Sequence, residues 1–160
     1  SSFCPCSTIT LPGVSVSTGD ATRLLALFGT DAFDAVLVDA PCSGLGTLRR
    51  YPEKRWRIAP DTASRMHRLQ VELLCEAARV VRPGGAVVYS TCSIAREENA
   101  DVVDEFLACE AGREFVIEPL EGVIPAEWDT FRDGRDCFRS WPRSGGPDGH
   151  FVARLRRGER

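Results

Sequence analysis

The chain has 160 residues, room for one domain and short for two. With 43% hydrophobic and 27% charged residues it falls in the globular range, which excludes disorder as its main state. A net charge of −3 and a pI near 5.5 exclude a protein that holds nucleic acid by overall charge alone, and no run approaches the roughly 20 apolar residues of a membrane span.

Residues 1–10 show no usable period, and 1–13 reads as an irregular N-terminal segment. LPGVSVSTGDA at 11–21 holds one short strand ending at Gly19-Asp20. From Phe33 the sequence FDAVLVDAP is a continuous apolar run with β-branched residues, the pattern of a central parallel strand buried on both faces. Residues 64–82 place Met66, Leu69, Leu73, Ala77, Val80 and Val81 at helical intervals, with Pro83-Gly84-Gly85 as the stop. AVVYSTC at 86–92 is a second buried strand, and Val102, Val103, Phe106 and Leu107 mark a second helix. EFVIEPL at 114–120 reads as a strand, 121–149 as a structured loop carrying Trp128, Phe131 and Trp141, and HFVARLRR at 150–157 as an edge strand before a tail at 158–160. Strand, helix, strand, helix is the signature of an α/β fold.

In open α/β sheets, ligands collect at the carboxyl ends of the parallel strands. Three strand ends carry polar residues: Asp20, then Asp39-Ala40-Pro41-Cys42, then Thr91-Cys92. If these strands are neighbours, two thiols converge on one pocket. A cysteine is a strong nucleophile only as the thiolate, and Cys92 stands just before a helix expected to open near Ala95-Arg96, where its pKa falls. Asp39 in the same cleft would hydrogen-bond an electron-poor ring while the thiolate adds to it. The same trio also suits a thiol hydrolase or a peroxidatic enzyme, so the residues by themselves lead to thiol chemistry in an α/β pocket and no further.

Lys54 is the only lysine among 20 basic residues. The stretch Arg49, Arg50, Tyr51, Lys54, Arg55, Trp56, Arg57 interleaves cations with aromatics, which suits the phosphates and unstacked bases of RNA; the plainer reading is a solvated loop with Trp56 tucked onto the core. Seven cysteines cannot all pair, and reduced thiols in the cytoplasm are expected. Cys4 and Cys6 lack a second pair or a nearby histidine, so no metal is expected. Cys75, Cys109 and Cys137 read as packing residues and His67 as a surface residue of its helix.

VDAPCSGLGTLRRYPEKRWR at 38–57 and YSTCSIAREENADVVDEFL at 89–107 resemble the two cysteine motifs of the Sun-type (RsmB-like) RNA cytosine-carbon-5 methyltransferases, and the PGG turn and PDGHFVARLRR at 147–157 fit the same family. The resemblance implies an α/β, class I S-adenosylmethionine-dependent methyltransferase (Rossmann-like) fold over 14–157. It implies that Cys92 attacks carbon 6 of a flipped cytosine, making carbon 5 nucleophilic toward the methyl group. Cys42 then helps remove the carbon 5 proton and release the enzyme. Asp39 holds the ring near nitrogen 3 and the amino group, and Asp20, Asp39 and Pro41 meet the cofactor, with Asp20 at its adenine end.

The implied partner is RNA, ribosomal RNA in particular, with Arg49, Arg50, Lys54, Arg55, Trp56 and Arg57 as its contacts. The implied setting is a cytoplasmic monomer with no membrane or metal partner. Two departures stand out. His150 replaces the family's usual Phe, and the Gly-rich loop after the first strand and the acid ending the second are absent. We therefore expect the C-terminal part of a larger catalytic domain, lacking its first strands and binding S-adenosylmethionine weakly when alone. The rival expectations are a non-catalytic RNA-binding remnant and a thiol-redox protein using Cys42 and Cys92.

Overall fold

The computed structural model describes residues 8–11 and 13–159; Cys4 and Cys6 lie outside the described residues. Strands β1 (Thr8–Leu11) and β2 (Val14–Ser17) form an antiparallel hairpin, followed by a 3-10 turn (Ala21–Arg23) and the short helix α1 (Leu24–Phe28). Then come β3 (Phe33–Asp39), α2 (Thr62–Val80), β4 (Val81–Thr91), α3 (Ala100–Ala108), β5 (Phe115–Ile117), β6 (Phe138–Ser140) and β7 (His150–Arg157). The main sheet has the order β3-β4-β7-β5, with β6 also paired to β7. Only β3 and β4 run parallel; the other ladders are antiparallel, so the α/β layering holds but the sheet is mixed.

Several sequence expectations need correction. The run from Phe33 is not a central strand: β3 has β4 on one side and, among the described residues, nothing on the other, so only Val38 is buried and Leu37 is 68% exposed. Conversely, 150–157 is not an edge. β7 bonds to β4, β5 and β6, although its inward and outward alternation is as expected. The strand before Asp20 joins a separate hairpin with β1, which itself falls inside the segment read as irregular. Helix α2 stops at Val80 because Val81 turns extended (φ −81°, ψ 132°), and Pro83-Gly84-Gly85 bulges out within the start of β4. Gly158 is no loose tail, since its N–H donates to the Glu114 carbonyl at 2.8 Å.

The core lies under the two long helices. α2 buries Leu73, Leu74, Ala77, Ala78 and Val80, α3 buries Val102, Val103 and Phe106, and β4 supplies Val81, Val87 and Tyr89. Phe106 meets Phe115 edge to face at 5.5 Å, and Tyr89 meets Phe151 at 6.3 Å. On the other sheet face, Leu120, Val123, Ile124, Trp128 and Phe138 from the long loop gather over Val88 and Val152. Helix α1 is fastened to α2 by the Leu25 N–H, which donates to Glu76 at 3.1 Å.

Leu74 is wholly buried in this cluster, so Leu74→Ala is expected to cost about 2–5 kcal/mol, read as a lower denaturation midpoint in urea. His67 is not the plain surface residue expected. Its Nδ1 lies 2.6 Å from the Glu97 carbonyl and its Nε2 2.7 Å from Glu105, joining α2 to the start of α3. Burial opposes charge on the ring, but the Glu105 and Glu97 bonds hold its pKa above the ordinary 6.5. That contribution to stability is therefore fully present below about pH 6.5 and fades as pH rises through the raised value. Melting curves across this window should flatten in His67→Ala.

Candidate active site

Because β3 and β4 are parallel neighbours, their carboxyl ends lie side by side, with Asp39 level with Ser90 and the Ala40 N–H donating to the Ser90 carbonyl at 2.9 Å. The loops leaving them carry Cys42 and Cys92, and the two sulfurs meet at 3.3 Å with both side chains half-buried. The expected convergence is met. The thiols are unequal. A hydrogen bond from Cys42, with Lys54 and then His150 acting in the same sense, pulls the Cys92 thiol down to about 6 against the opposing effect of burial. The same bond and its own burial push Cys42 far above the ordinary thiol range. One sulfur is thus poised as thiolate and its partner as the proton donor beside it.

The acidity does not come from a long helix pointing at Cys92. The segment at Arg96–Glu98 is a single 3-10 turn, and α3 starts only at Ala100. Nor does Asn99 cap that helix with its side chain. It reaches back instead, accepting from Thr91 Oγ1 at 2.6 Å and donating to the Ser93 carbonyl at 3.0 Å. Sequence reasoning missed this buried polar layer. Gln70 on α2 donates to the Pro41 carbonyl at 2.9 Å, and Glu98 accepts from the Ser43 N–H at 2.7 Å and from the hydroxyls of both Ser43 and Ser93. A visible signal existed: the dipeptide Cys-Ser occurs at both 42–43 and 92–93.

A third loop closes the site from behind. The Gly46 N–H donates to the Cys92 carbonyl at 3.0 Å, and the Gly149 N–H donates to the Gly46 carbonyl at 2.9 Å. The backbones touch so closely that a Cβ on Gly46 would fall 2.1 Å from the Gly149 oxygen, so only glycine fits there. Asp148, buried next to it, takes Arg49 at 3.2 Å and Arg50 at 2.7 Å.

The cationic stretch is therefore divided. Arg49 and Arg50 are tied to Asp148 yet remain partly exposed. Lys54 turns inward, donating to Thr47 at 3.0 Å and lying over the Tyr51 ring. Arg55 stacks on Trp56, which is 83% exposed and not tucked onto the core, and Arg57 is exposed.

Along the outer edge of β3 runs a groove of about 390 Å³ lined by Ala21, Leu24, Phe28, Leu37, Asp39 and Pro41 among others. Asp20 borders the adjoining hollow, its carboxylate capping the turn by accepting from the Thr22 N–H at 3.0 Å and hydroxyl at 2.7 Å, which holds its pKa below the usual carboxylate range. Asp39 lies exposed at the groove rim, and among the described residues its side chain has no hydrogen-bond partner.

Residues 6–156 match the family described as 16S rRNA methyltransferase RsmB/F. The chain belongs to that family. Among relatives of this RsmB/F family member are the probable ribosomal RNA small subunit methyltransferase B of Bacillus subtilis, 37% identical over 90% of this chain and 32% of its own length, and ribosomal RNA small subunit methyltransferase B of Thermus thermophilus, 43% identical over 76% and 29%. The chain thus spans about a third of the length of the curated relatives it matches.

Among solved structures, PH0851 superposes with a TM-score of 0.75 at 38% identity, covering 86% of this chain and 29% of that one. NSun6 from Pyrococcus horikoshii with SFG superposes at 0.69 and 27% identity, covering 89% and 34%. The fold is accordingly the Rossmann-like α/β fold of these methyltransferases.

For this RsmB/F family chain, alkylation of Cys92 by iodoacetamide, followed by peptide mass spectrometry, is expected to rise through a midpoint near pH 6. Cys42→Ala removes the hydrogen bond and should carry that midpoint up toward the ordinary 9.0; an unmoved midpoint would mean that the bond does not set the acidity.

Proposed function

We propose that this chain carries the cysteine pair and substrate face of an S-adenosylmethionine-dependent RNA cytosine-5 methyltransferase acting on ribosomal RNA. The observation that supports this reading above all is the sulfur contact of 3.3 Å at the ends of two parallel strands, with one thiol acidified. The names of the relatives, small-subunit ribosomal RNA methyltransferases, point the same way.

The Cys92 thiolate adds to carbon 6 of an extruded cytosine, forming a C–S bond and placing the displaced electron pair on carbon 5. Asp39 holds the ring near nitrogen 3 and the amino group, its carboxylate accepting from the amino N–H. S-adenosylmethionine supplies the methyl group that carbon 5 takes up. The carbon 5 proton then leaves to water with the help of Cys42; the C–H electrons restore the 5,6 double bond, the C–S bond breaks, and Cys92 leaves as thiolate. With its sulfur 3.3 Å from that of Cys92, Cys42 would stand beside the adduct, whose carbon 5 is the ring atom next to the carbon that Cys92 holds.

Asp39 and Pro41 on the groove rim and Asp20 beside it are the residues that would hold the cofactor. Exposed Trp56 with Arg55, Arg57 and the outer faces of Arg49 and Arg50 would stack and neutralise the RNA, while Lys54 serves at the thiols. The unit at 14–157 acts in this reading as a cytoplasmic monomer; among the described residues no helix is long and apolar enough to cross a membrane.

The test is covalent capture. With RNA containing 5-fluorocytidine and S-adenosylmethionine, a complex that survives a denaturing gel is expected, because fluorine at carbon 5 blocks proton loss. Cys92→Ala should abolish it, and Cys42→Ala should accumulate a complex on ordinary RNA. An adduct unchanged in Cys92→Ala overturns the reading. RNA retarded in a native gel without any adduct or cofactor dependence would instead make the chain a binding remnant, and a calorimetric titration with S-adenosylmethionine, expected to show weak uptake by this chain alone, separates the two.

A further inference from the structure

We infer that Glu98 is a positioning residue that holds Cys42 and Cys92 in contact by gripping the serine that follows each of them. The inference rests on the reading of the two thiols as a working pair, and it goes beyond that reading by naming what sets their separation.

Glu98 is 0% exposed, an uncommon place for a carboxyl group. Among the described residues no guanidinium or ammonium group is one of its hydrogen-bond partners; its donors there are neutral. Ser43 gives Oε1 its N–H at 2.7 Å and Oε2 its hydroxyl at 2.5 Å, Ser93 gives Oε2 its hydroxyl, and Gln70 approaches Oε1 at 3.5 Å. The two serine hydroxyls lie 3.2 Å apart on the shared oxygen.

The anchor itself is firm, because the Glu98 carbonyl accepts from the buried Tyr89 hydroxyl at 2.6 Å, pinning the turn Arg96–Glu98 to the carboxyl-terminal part of β4. Thus the loop after β3 and the loop after β4 are drawn to one carboxyl group, each at the residue next to its cysteine. An apolar side chain at 98 would fill the same space without the desolvation cost, but it would leave the two hydroxyls and the Ser43 N–H without acceptors. It would also remove the side chain that both Ser43 and Ser93, one in each cysteine-bearing loop, bond to.

The groups that face Cys92 are Cys42, Lys54 and His150, and the Cys42 bond is the strongest of their effects. Loosening the grip should therefore show at the sulfurs first. The experiment uses the chain itself and two sulfur readouts that need neither RNA nor cofactor. Diamide, reduced to its hydrazine as two thiols become a disulfide, measures how quickly Cys42 joins Cys92. The pair Cys75 and Cys109, with sulfurs 3.5 Å apart between α2 and the end of α3, serves as the internal control because neither bonds to Glu98.

In Glu98→Ala, Cys42–Cys92 closure is expected to slow at least tenfold while Cys75–Cys109 closure is unchanged, and the pH midpoint for Cys92 alkylation should rise by a unit or more. Glu98→Gln, which keeps an acceptor oxygen, should recover part of both. Equal slowing of the two pairs would assign Glu98 a merely structural role, and an unchanged Cys42–Cys92 rate in a folded Glu98→Ala would overturn the inference. If Glu98→Ala fails to fold, the double variant Ser43→Ala/Ser93→Ala removes both hydroxyl bonds, leaving only the backbone N–H of residue 43 on Glu98, and must show a selective loss in the same direction. Failure of RNA capture alongside selective loss at the sulfurs would sink the methyltransferase reading and leave the positioning role standing; the reverse result would sink only the role of Glu98.

Discussion

The pairing of β3 with β4 carries the rest of the molecule. The two strands run in parallel register from Ala35 beside Ala86 to Asp39 beside Ser90, and the ladder extends one bond past the strand into Ala40. A parallel pair cannot be joined by a tight turn; the chain must travel back along the sheet, and α2, 19 residues and about 28 Å long, makes that return. The geometry leaves Cys42 and Cys92 no choice but to emerge at one level on one edge of the sheet. Strand direction and register bring the two cysteine loops together; the side chains beneath them decide the contact.

Contact between the sulfurs, which sets their unequal acidity, has to be held. The layer under them does further work: Gln70 from α2, Glu98 and Asn99 from the turn before α3, and the hydroxyl of Tyr89 from β4 are all buried and engaged with the two loops or with each other. A buried polar layer is costly when half satisfied and stiff when complete, which favours one arrangement of the loops above it. Gly46 and Gly149 complete the enclosure from the third side by letting backbone meet backbone. The thiol loops are thus held by polar bonds and by main chain, with Lys54 close enough to favour the Cys92 thiolate.

The two flanks of this centre differ in kind. Along β3 the surface is an apolar trough ending in Asp39, while the loop 48–57 presents guanidinium groups and an exposed indole. Asp148 links the flank to the centre: by taking both Arg49 and Arg50 from a buried position it stiffens the start of the cationic loop, and its neighbour Gly149 packs on the cysteine loop.

The elements legible in the sequence were those with a local cause. The apolar run before Asp39, the spaced leucines and alanines of α2 and the alternation in 150–157 each betray their conformation within a few residues, and the Pro-Cys and Thr-Cys placements at strand ends disclosed the thiols. What no local pattern contains is neighbourhood. An apolar strand reads the same at an edge as at the centre, so β3 was taken for the middle of the sheet and β7 for its margin, when the pairing is the reverse. Asp20 at a strand end looked like one more convergent acid, yet its strand belongs to a hairpin with β1.

No local pattern marks Glu98, Gln70 or Asn99 as buried, because burial of a carboxyl or amide depends on partners elsewhere in the fold. The sequence by itself determined the fold class, the helices and the two thiols, since these follow from side-chain type and short-range spacing. Strand order, the inequality of the sulfurs and the polar layer beneath them were decided only in the tertiary structure, because each arises from groups that long-range closure of the chain alone brings within bonding distance.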